Sequence, residues 1–142
     1  MYLVLIGTVL LITHPIAMFQ TTVYGLPLNE KERACAEKHN LSTKNIEMWN
    51  IEPLIPEDNV EMLEYMSCYW KNLGYLTEDG EIDFVKLGDV VHADLNARFH
   101  AEFGHIVAFI MDNCKQTVHG ETDGLRAVKM WNCLNVYTEN LF

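Results

Sequence analysis

Hydrophobic residues recur at steps of three and four along most of the chain after residue 28, which is the spacing of one face of an α-helix. The clearest case is a segment that is capped by Asp58 and runs to Leu73. Further helices are predicted over Glu30–Asn40, Thr43–Asn50, Asp83–Asn96, Ala97–Gln116 and Gly124–Thr138. No segment shows a convincing strand signal. The pattern therefore predicts an all-α fold, a compact bundle of about six helices.

Residues that cap or stop helices predict where these segments end. Asp58 and Asp123 are of the type that accepts hydrogen bonds from the free N–H groups of a first turn. Gly74 supplies a C-terminal stop, because glycine adopts the left-handed conformation that ends many helices. The predicted fifth helix carries its apolar stripe on Phe99, Phe103, Ile106 or Val107, Ile110 and Cys114.

The first 25 residues differ from the rest because they contain no Asp, Glu, Lys or Arg. Within them, Leu3–Ile12 is an almost unbroken apolar run that is too short to span a bilayer. We predict a secretory signal peptide over residues 1–25, cleaved after Gly25 or alternatively after Ala17, although its n-region lacks a positively charged side chain. A membrane anchor or a buried N-terminal helix is the competing interpretation. The predicted mature domain spans residues 26–142.

Composition and charge restrict the partners. The chain has 142 residues, 20 of them acidic and 10 basic, for a formal net charge of −10. This length suits one domain, and 11% aromatic residues argue against disorder. Binding to phosphate groups needs clustered Lys and Arg, which are absent here. We therefore expect an acidic globular domain that binds no nucleic acid and whose mature part does not insert into a membrane.

Four cysteines, Cys35, Cys68, Cys114 and Cys133, follow the predicted signal peptide. In a secreted protein an even number of cysteines indicates disulfides, and four cysteines permit three pairings among which spacing alone does not choose. They show neither a CxxC motif nor the Cys/His spacing of a zinc site. Asn40 begins an Asn-Leu-Ser sequon and is predicted to be an exposed glycosylation site.

The sequence shows no arrangement typical of catalysis. The only serines after residue 25, Ser42 and Ser67, do not lie in a GxSxG motif. His100 and His105 are five residues apart on the predicted fifth helix, about 140° around it, so they do not share one face for a metal. A small secreted hydrolase is therefore disfavoured. We predict no catalytic residues, no metal and no cofactor.

The spacing of the cysteines and the segment after Cys68 resemble the insect odorant-binding protein family (pheromone and general odorant-binding type), in its reduced four-cysteine or Minus-C subclass. Residues Tyr69–Asp83 are similar to the helix–turn segment that follows the third cysteine of that family. The four cysteines match the first, third, fourth and sixth of the family. Glu64 and Gly124 stand where the second and fifth would be.

The two absent cysteines belong to the same family disulfide, so the resemblance implies the pairs Cys35–Cys68 and Cys114–Cys133. It also places Glu64 against the start of the last helix, near Gly124. We predict that Glu64→Cys with Gly124→Cys would close a disulfide without large backbone movement.

The resemblance further implies a soluble secreted carrier of small hydrophobic or amphiphilic ligands, such as odorants, pheromones or fatty compounds, in a cavity between helices. A chemoreceptor or a second copy of the chain is a further candidate partner. Flexible Met and flat aromatic side chains suit such a cavity. The candidate ligand-binding residues are Met62, Tyr65, Met66, Tyr69, Leu73, Leu87, Val91, Phe103, Val107, Ile110, Met111, Val128, Trp131 and Leu134.

The sequence leaves two questions open, the alternative function and the role of the histidines. The alternative function is a secreted helical interaction or signalling protein whose core is filled and has no cavity. Because imidazole titrates near neutral pH, the histidines leave two alternatives, which are release of ligand on acidification and an ordinary surface or interior role. Those that follow the predicted signal peptide are His39, His92, His100, His105 and His119.

Overall fold

The computed structural model describes residues 28–100 and 102–139. The predicted signal peptide and both of its cleavage sites lie outside the described residues. The described part contains six α-helices: α1 (Glu30–Lys38), α2 (Thr43–Trp49), α3 (Val60–Leu73), α4 (Phe84–Phe99), α5 (Gly104–Thr117) and α6 (Asp123–Glu139). Within these residues, β-type pairing is limited to a single antiparallel bridge between Leu76 and Ile82. The predicted all-α fold is confirmed.

Side chains cap the first, third and fourth helices. Asn29 accepts a hydrogen bond from the backbone of Glu32 at 2.9 Å, and the Glu32 carboxylate accepts one from the backbone of Asn29 at 2.7 Å, which forms a capping box. Asn59, and not the predicted Asp58, caps α3 by accepting from Met62 N–H at 3.1 Å. Asp83 caps α4. Gly74 ends α3 with a φ of 73°, as predicted.

The predicted boundary between the fourth and fifth helices is wrong. α4 continues through Phe99 and ends at His100, which has a φ of 52°, and α5 begins only at Gly104. Phe99 therefore belongs to α4, and Phe103 precedes α5. The Asn96 side chain accepts from the backbone N–H of Phe103 at 3.3 Å and so holds the turn between the helices. Hydrophobic periodicity continues across this break, and neither Gly nor Pro marks its start.

The last helix begins one residue earlier than predicted. Thr122 is its cap, because the Thr122 hydroxyl accepts from Leu125 N–H at 3.2 Å. Asp123 is instead the first helical residue, and its carboxylate lies 2.6 Å from Lys71 Nζ on α3.

The core is formed by apolar side chains from all six helices and is tied by two disulfides. Cys35–Cys68 joins α1 to α3, and Cys114–Cys133 joins α5 to α6, with Cα atoms 5.7 Å apart in each pair. The implied pairing is confirmed. The largest side chains that are almost completely buried include Ile46, Met62, Tyr65, Leu95, Ile110, Val128 and Met130.

One side chain connects the turn between α3 and α4 to the start of α6 through hydrogen bonds. Arg126 donates two hydrogen bonds to the carbonyl of Gly80, at 3.0 and 2.8 Å, and another to the carbonyl of Gly120 at 2.9 Å. Hydrogen bonds from a charged donor are stronger than neutral ones. Arg126 therefore helps to fix the angle at which α4 leaves the turn.

Helices α3 and α6 cross at Gly124, where their backbones come very close. A Cβ atom on Gly124 would lie 2.0 Å from the carbonyl oxygen of Leu63. The expected Glu64–Gly124 disulfide without large backbone movement is therefore wrong, because a cysteine at 124 would collide with the α3 backbone. Glu64 lines the same surface groove as Gly124, and its carboxylate lies 3.6 Å from His39 Nδ1.

The ion pair between Lys71 and Asp123 links α3 to α6, the two elements that lack a disulfide between them. The hydrogen bond from Lys71 holds the pKa of Asp123 below its ordinary value of 3.8, and Arg126, at 3.2 Å, adds to the effect. A carboxylate whose pKa falls on folding stabilises the folded state at pH values above its unfolded pKa. That contribution is lost as the pH falls through the lowered pKa of the folded state.

We therefore expect Asp123→Asn to lower the free energy of unfolding by about 0.5–1 kcal/mol above about pH 5, with the difference shrinking as the pH falls below the ordinary pKa of 3.8. Urea denaturation at several pH values measures this difference. Asp89→Asn, which changes an exposed carboxylate of α4, is the matched control and should have no such effect. A loss in Asp123→Asn that is as large at pH 2.5 as at pH 7 would show that the ion pair is not its cause.

Candidate ligand-binding cavity

A cavity of about 400 Å³ lies between α3, α4 and α6, with α1, α2 and the segment after α2 closing one side. This volume is within the range of small-molecule sites. Its walls are lined by Glu32, Trp49, Asn50, Ile55, Met62, Tyr65, Met66, Tyr69, Trp70, Leu73, Tyr75, Leu87, Val90, Val91, Asp94, Arg98, Trp131, Leu134, Asn135 and Thr138.

Helix α3 supplies one continuous wall. Met62, Tyr65, Met66, Tyr69 and Leu73 follow one another at steps of three, one, three and four residues, which keeps them on one side of the helix. The inner three are almost fully buried, with 0% exposure for Tyr65 and 4% or less for the two methionines. The wall is therefore apolar, apart from its tyrosine hydroxyls.

The opposite walls come from α4 and α6. Leu87 and Val91 face the cavity from α4, and Trp131 and Leu134 face it from α6. Asp94 and Arg98 also line it, and both are exposed at the surface, so they mark the side on which the cavity meets solvent. They form an ion pair with each other along α4. The interior is thus apolar and the opening is charged.

The fifth helix contributes no residue to this cavity. Of the predicted ligand-binding residues, the structure does not place Phe103, Val107, Ile110, Met111 or Val128 on its walls. These side chains pack in the core instead, and Met111 lies against α4 at Gly88. An apolar stripe shows that a helix face is buried but does not show whether another side chain or a cavity lies opposite it.

Several aromatic and aliphatic residues of the walls are not among those predicted from the sequence. Trp70 is 2% exposed and packs edge-to-face on Tyr75, with ring centroids 5.7 Å apart. Its position four residues after Met66 was the available signal. Ile55 lies outside any helix and is held by Asn132 of α6, whose side-chain amide exchanges two hydrogen bonds with the Ile55 backbone, both 2.8 Å long. No local sequence pattern indicates such a contact.

Two polar atoms of the lining residues are buried and make no well-formed hydrogen bond to another described residue. They are the hydroxyl oxygen of Tyr65 and the indole nitrogen of Trp131. Burial, together with the negative charge of Glu32, raises the pKa of Tyr65 far above its ordinary value, so its hydroxyl stays protonated.

Two other surface depressions are more open to solvent. One, of about 470 Å³, lies where α3 meets the start of α6 and is lined largely by polar residues, among them His39, Glu64 and Lys71. The other, of about 510 Å³, is lined by residues such as Leu54, Lys129 and Tyr137. Neither has the buried aromatic and methionine walls of the first cavity, which is therefore the candidate binding site.

The predicted histidines lie away from this site. None of them is among the lining residues, and His39 and His92 lie 3.6 Å from the carboxylates of Glu64 and Glu102. Within residues 28–100 and 102–139, no cluster of three or more His, Cys, Asp or Glu side chains is arranged to hold a metal ion. Asn40, the predicted glycosylation site, is exposed just after α1, and its glycosylation stays a prediction.

None of the helices in the described part of the chain combines the length and the apolar character that crossing a membrane requires.

Comparison with known proteins gives one match. Residues 26–136 match the sequence profile of the PBP/GOBP family. Searches of curated proteins and of solved structures gave no significant match. The matched region contains all four cysteines, and the two disulfides are consistent with the four-cysteine subclass. Because the match covers most of the chain and the all-α, disulfide-tied fold agrees with it, the protein belongs to the PBP/GOBP family, the family of insect odorant-binding proteins.

Proposed function

We propose that the protein is a secreted carrier that takes up small hydrophobic or amphiphilic molecules in the cavity between α3, α4 and α6. Such a carrier moves odorants, pheromones or fatty compounds through an aqueous fluid in which they dissolve poorly. The observation that carries the proposal is the cavity of about 400 Å³, because a buried apolar space removes the apolar surface of a ligand from water. Membership of the PBP/GOBP family supports it.

The chemistry of the walls fits a carrier that accepts several ligands. Met62 and Met66 have unbranched, polarisable side chains that adapt to different shapes. Tyr69, Trp70 and Trp131 offer flat apolar faces with a polar group at one end.

Binding of an apolar fluorescent probe tests the proposal. We expect N-phenyl-1-naphthylamine to bind the secreted, oxidised protein at one site, with a dissociation constant in the low micromolar range, and to be displaced by medium-chain alcohols and ketones. Intrinsic emission should change as well, because Trp49, Trp70 and Trp131 all line the cavity. The position of Trp131 in the lining does not distinguish it from the other two tryptophans as the reporter of binding.

A pair of identical substitutions on α4 locates the binding site. Val91→Phe places a larger side chain on the cavity wall and should weaken probe binding by at least about tenfold. Val85→Phe changes a residue that is 77% exposed on the same helix and should leave binding unaltered. Absence of saturable binding, or equal effects of the two substitutions, would favour the alternative, a helical interaction protein that does not use this cavity.

A further inference from the structure

The turn between α1 and α2 carries a sequence motif that the ligand cavity does not use. Asn40-Leu41-Ser42 is the only Asn-X-Ser/Thr sequence in the chain. In such a motif the oligosaccharide is attached to the amide of the asparagine, and the hydroxyl two residues later is part of what the transferring enzyme recognises. The asparagine of the folded protein must then face solvent, because the attached group is bulky and hydrophilic. None of the three residues lines the cavity.

The backbone of this turn directs Asn40 and Ser42 outward and Leu41 inward. The Asn40 N–H donates to the Glu37 carbonyl at 3.2 Å, and the Leu41 N–H donates to the Ala36 carbonyl at 2.8 Å, which is the Schellman pattern at a helix C-terminus. Asn40 has a φ of 53°, in the left-handed region that asparagine adopts more readily than most residues. Leu41 is half-buried and packs against the core, whereas Asn40 and Ser42 are exposed.

The polar side chains of the motif have no structural role in the fold. The Asn40 amide makes no hydrogen bond to another described residue. Most other asparagines of the described part do make one, for example Asn59, which caps α3, and Asn132, which holds Ile55. Ser42 stands at the N-cap of α2 but makes no side-chain capping bond. A group attached at Asn40 therefore replaces no contact that holds the helices together.

The motif also lies away from the cavity walls. Glu32, in the first turn of α1, is the residue of that helix that lines the cavity. Lys38, the last residue of α1, is about 9 Å further along the helix axis, and Asn40 follows it. Lys38 and His39 line the open groove where α3 meets the start of α6. An oligosaccharide on Asn40 would therefore adjoin that groove and leave the cavity accessible.

We propose that Asn40 carries an N-linked oligosaccharide in the secreted protein. The inference rests on the secretion that the proposed function includes, and the two disulfides suit the oxidising compartments of the secretory pathway. The donor is an oligosaccharide linked through a diphosphate to a membrane lipid. The Asn40 amide nitrogen forms a bond to C1 of the first N-acetylglucosamine and loses a proton. The bond between C1 and the diphosphate oxygen breaks, and the lipid diphosphate leaves.

Expression of the whole chain in insect cells tests this proposal. Protein from the culture medium is digested, and the peptide that contains Asn40 is analysed by mass spectrometry before and after treatment with peptide N-glycosidase A. We expect a peptide that is heavier by N-acetylhexosamine and hexose residues. The enzyme should release them and leave an aspartate in place of the modified asparagine.

Three substitutions show whether the modification depends on the motif. Ser42→Ala removes the hydroxyl and should abolish the modification without unfolding the protein, because Ser42 makes no capping bond. Ser42→Thr keeps a hydroxyl and should retain the modification. Asn45→Gln is the matched control, since it changes an exposed asparagine of α2 outside any such motif and should leave the modification unaltered. Wild-type protein and Ser42→Ala should bind N-phenyl-1-naphthylamine with the same affinity.

The possible outcomes separate this inference from the proposed function. Secreted protein that binds the probe but has an unmodified Asn40 would overturn the inference and leave the carrier function intact. Modified protein that does not bind the probe would support the inference and contradict the carrier function. Modification that persists in Ser42→Ala would show that the motif is not its cause. Protein that folds but stays inside the cells would contradict both, because each requires secretion.

Discussion

Gly124→Ala is expected to lower the free energy of unfolding by about 3 kcal/mol, at the upper end of what overpacking usually costs. A Cβ at this position would lie 2.0 Å from the carbonyl oxygen of Leu63 and 2.9 Å from its Cα. These are backbone atoms of a helix interior, so they do not move aside as the end of a flexible side chain would. The crossing of α3 and α6 would have to open, and with it the two walls of the cavity that these helices form. Urea denaturation followed by circular dichroism measures the change.

Gly88→Ala is the matched control for this experiment. Gly88 also lies within a helix, but its added Cβ would be 3.6 Å from Met111 Cγ, an ordinary contact distance. Replacing a helical glycine by alanine without a clash reduces the entropy lost on folding, so we expect a gain of about 0.5–1 kcal/mol. If Gly124→Ala were as stable as the wild-type protein, the close approach of the two backbones described above would be incorrect.

Removing the Cys35–Cys68 disulfide by a double substitution to alanine is expected to lower the free energy of unfolding by about 4 kcal/mol. A cross-link stabilises mainly by restricting the unfolded chain, and the effect grows with the length of the closed loop. The two cysteines are 33 residues apart, whereas Cys114 and Cys133 are 19 apart, for which we expect about 3 kcal/mol. Removing the disulfide that closes the longer loop should therefore lower the free energy of unfolding more.

The same substitution should also weaken ligand binding. Cys68 lies on α3, the helix that supplies one wall of the cavity, and α1, to which it is tied, carries Glu32 of the lining. Denaturation of the two double variants under non-reducing conditions gives the stabilities, and probe titration below the transition gives the affinities. A larger loss of stability from the Cys114–Cys133 variant would show that native packing around that bridge, and not loop length, dominates.

The missing third bridge of the family has a structural counterpart here. The resemblance places the absent pair at Glu64 and Gly124, and glycine at position 124 lets the backbones of α3 and α6 come into direct contact. The ion pair of Lys71 with Asp123 joins the same two helices. Close packing and one salt bridge thus connect elements that a disulfide would otherwise join. A partly exposed ion pair contributes modestly, so we assign the larger share of this connection to the close packing.

Much of the fold follows from local features of the sequence. The helix of residues 60–73 is specified by its apolar spacing, by the polar residues before it and by Gly74 at its end, all of which act over a few residues. The same spacing places Met62, Tyr65, Met66, Tyr69 and Leu73 on one side of that helix. These five residues indeed line the cavity wall of α3. The disulfide pairing, in contrast, came from the family resemblance, since cysteine spacing alone left three pairings open.

Only the tertiary structure decided which apolar faces surround the cavity. The stripe on residues 103–114 is as regular as that of α3, yet α5 packs into the core and contributes nothing to the lining. Hydrophobic periodicity indicates which face of a helix is buried. Whether that face meets another helix or a cavity depends on how helices distant in sequence cross one another. The same reason explains why the sequence alone predicted neither the contact of Gly124 with Leu63 nor the position of Ile55.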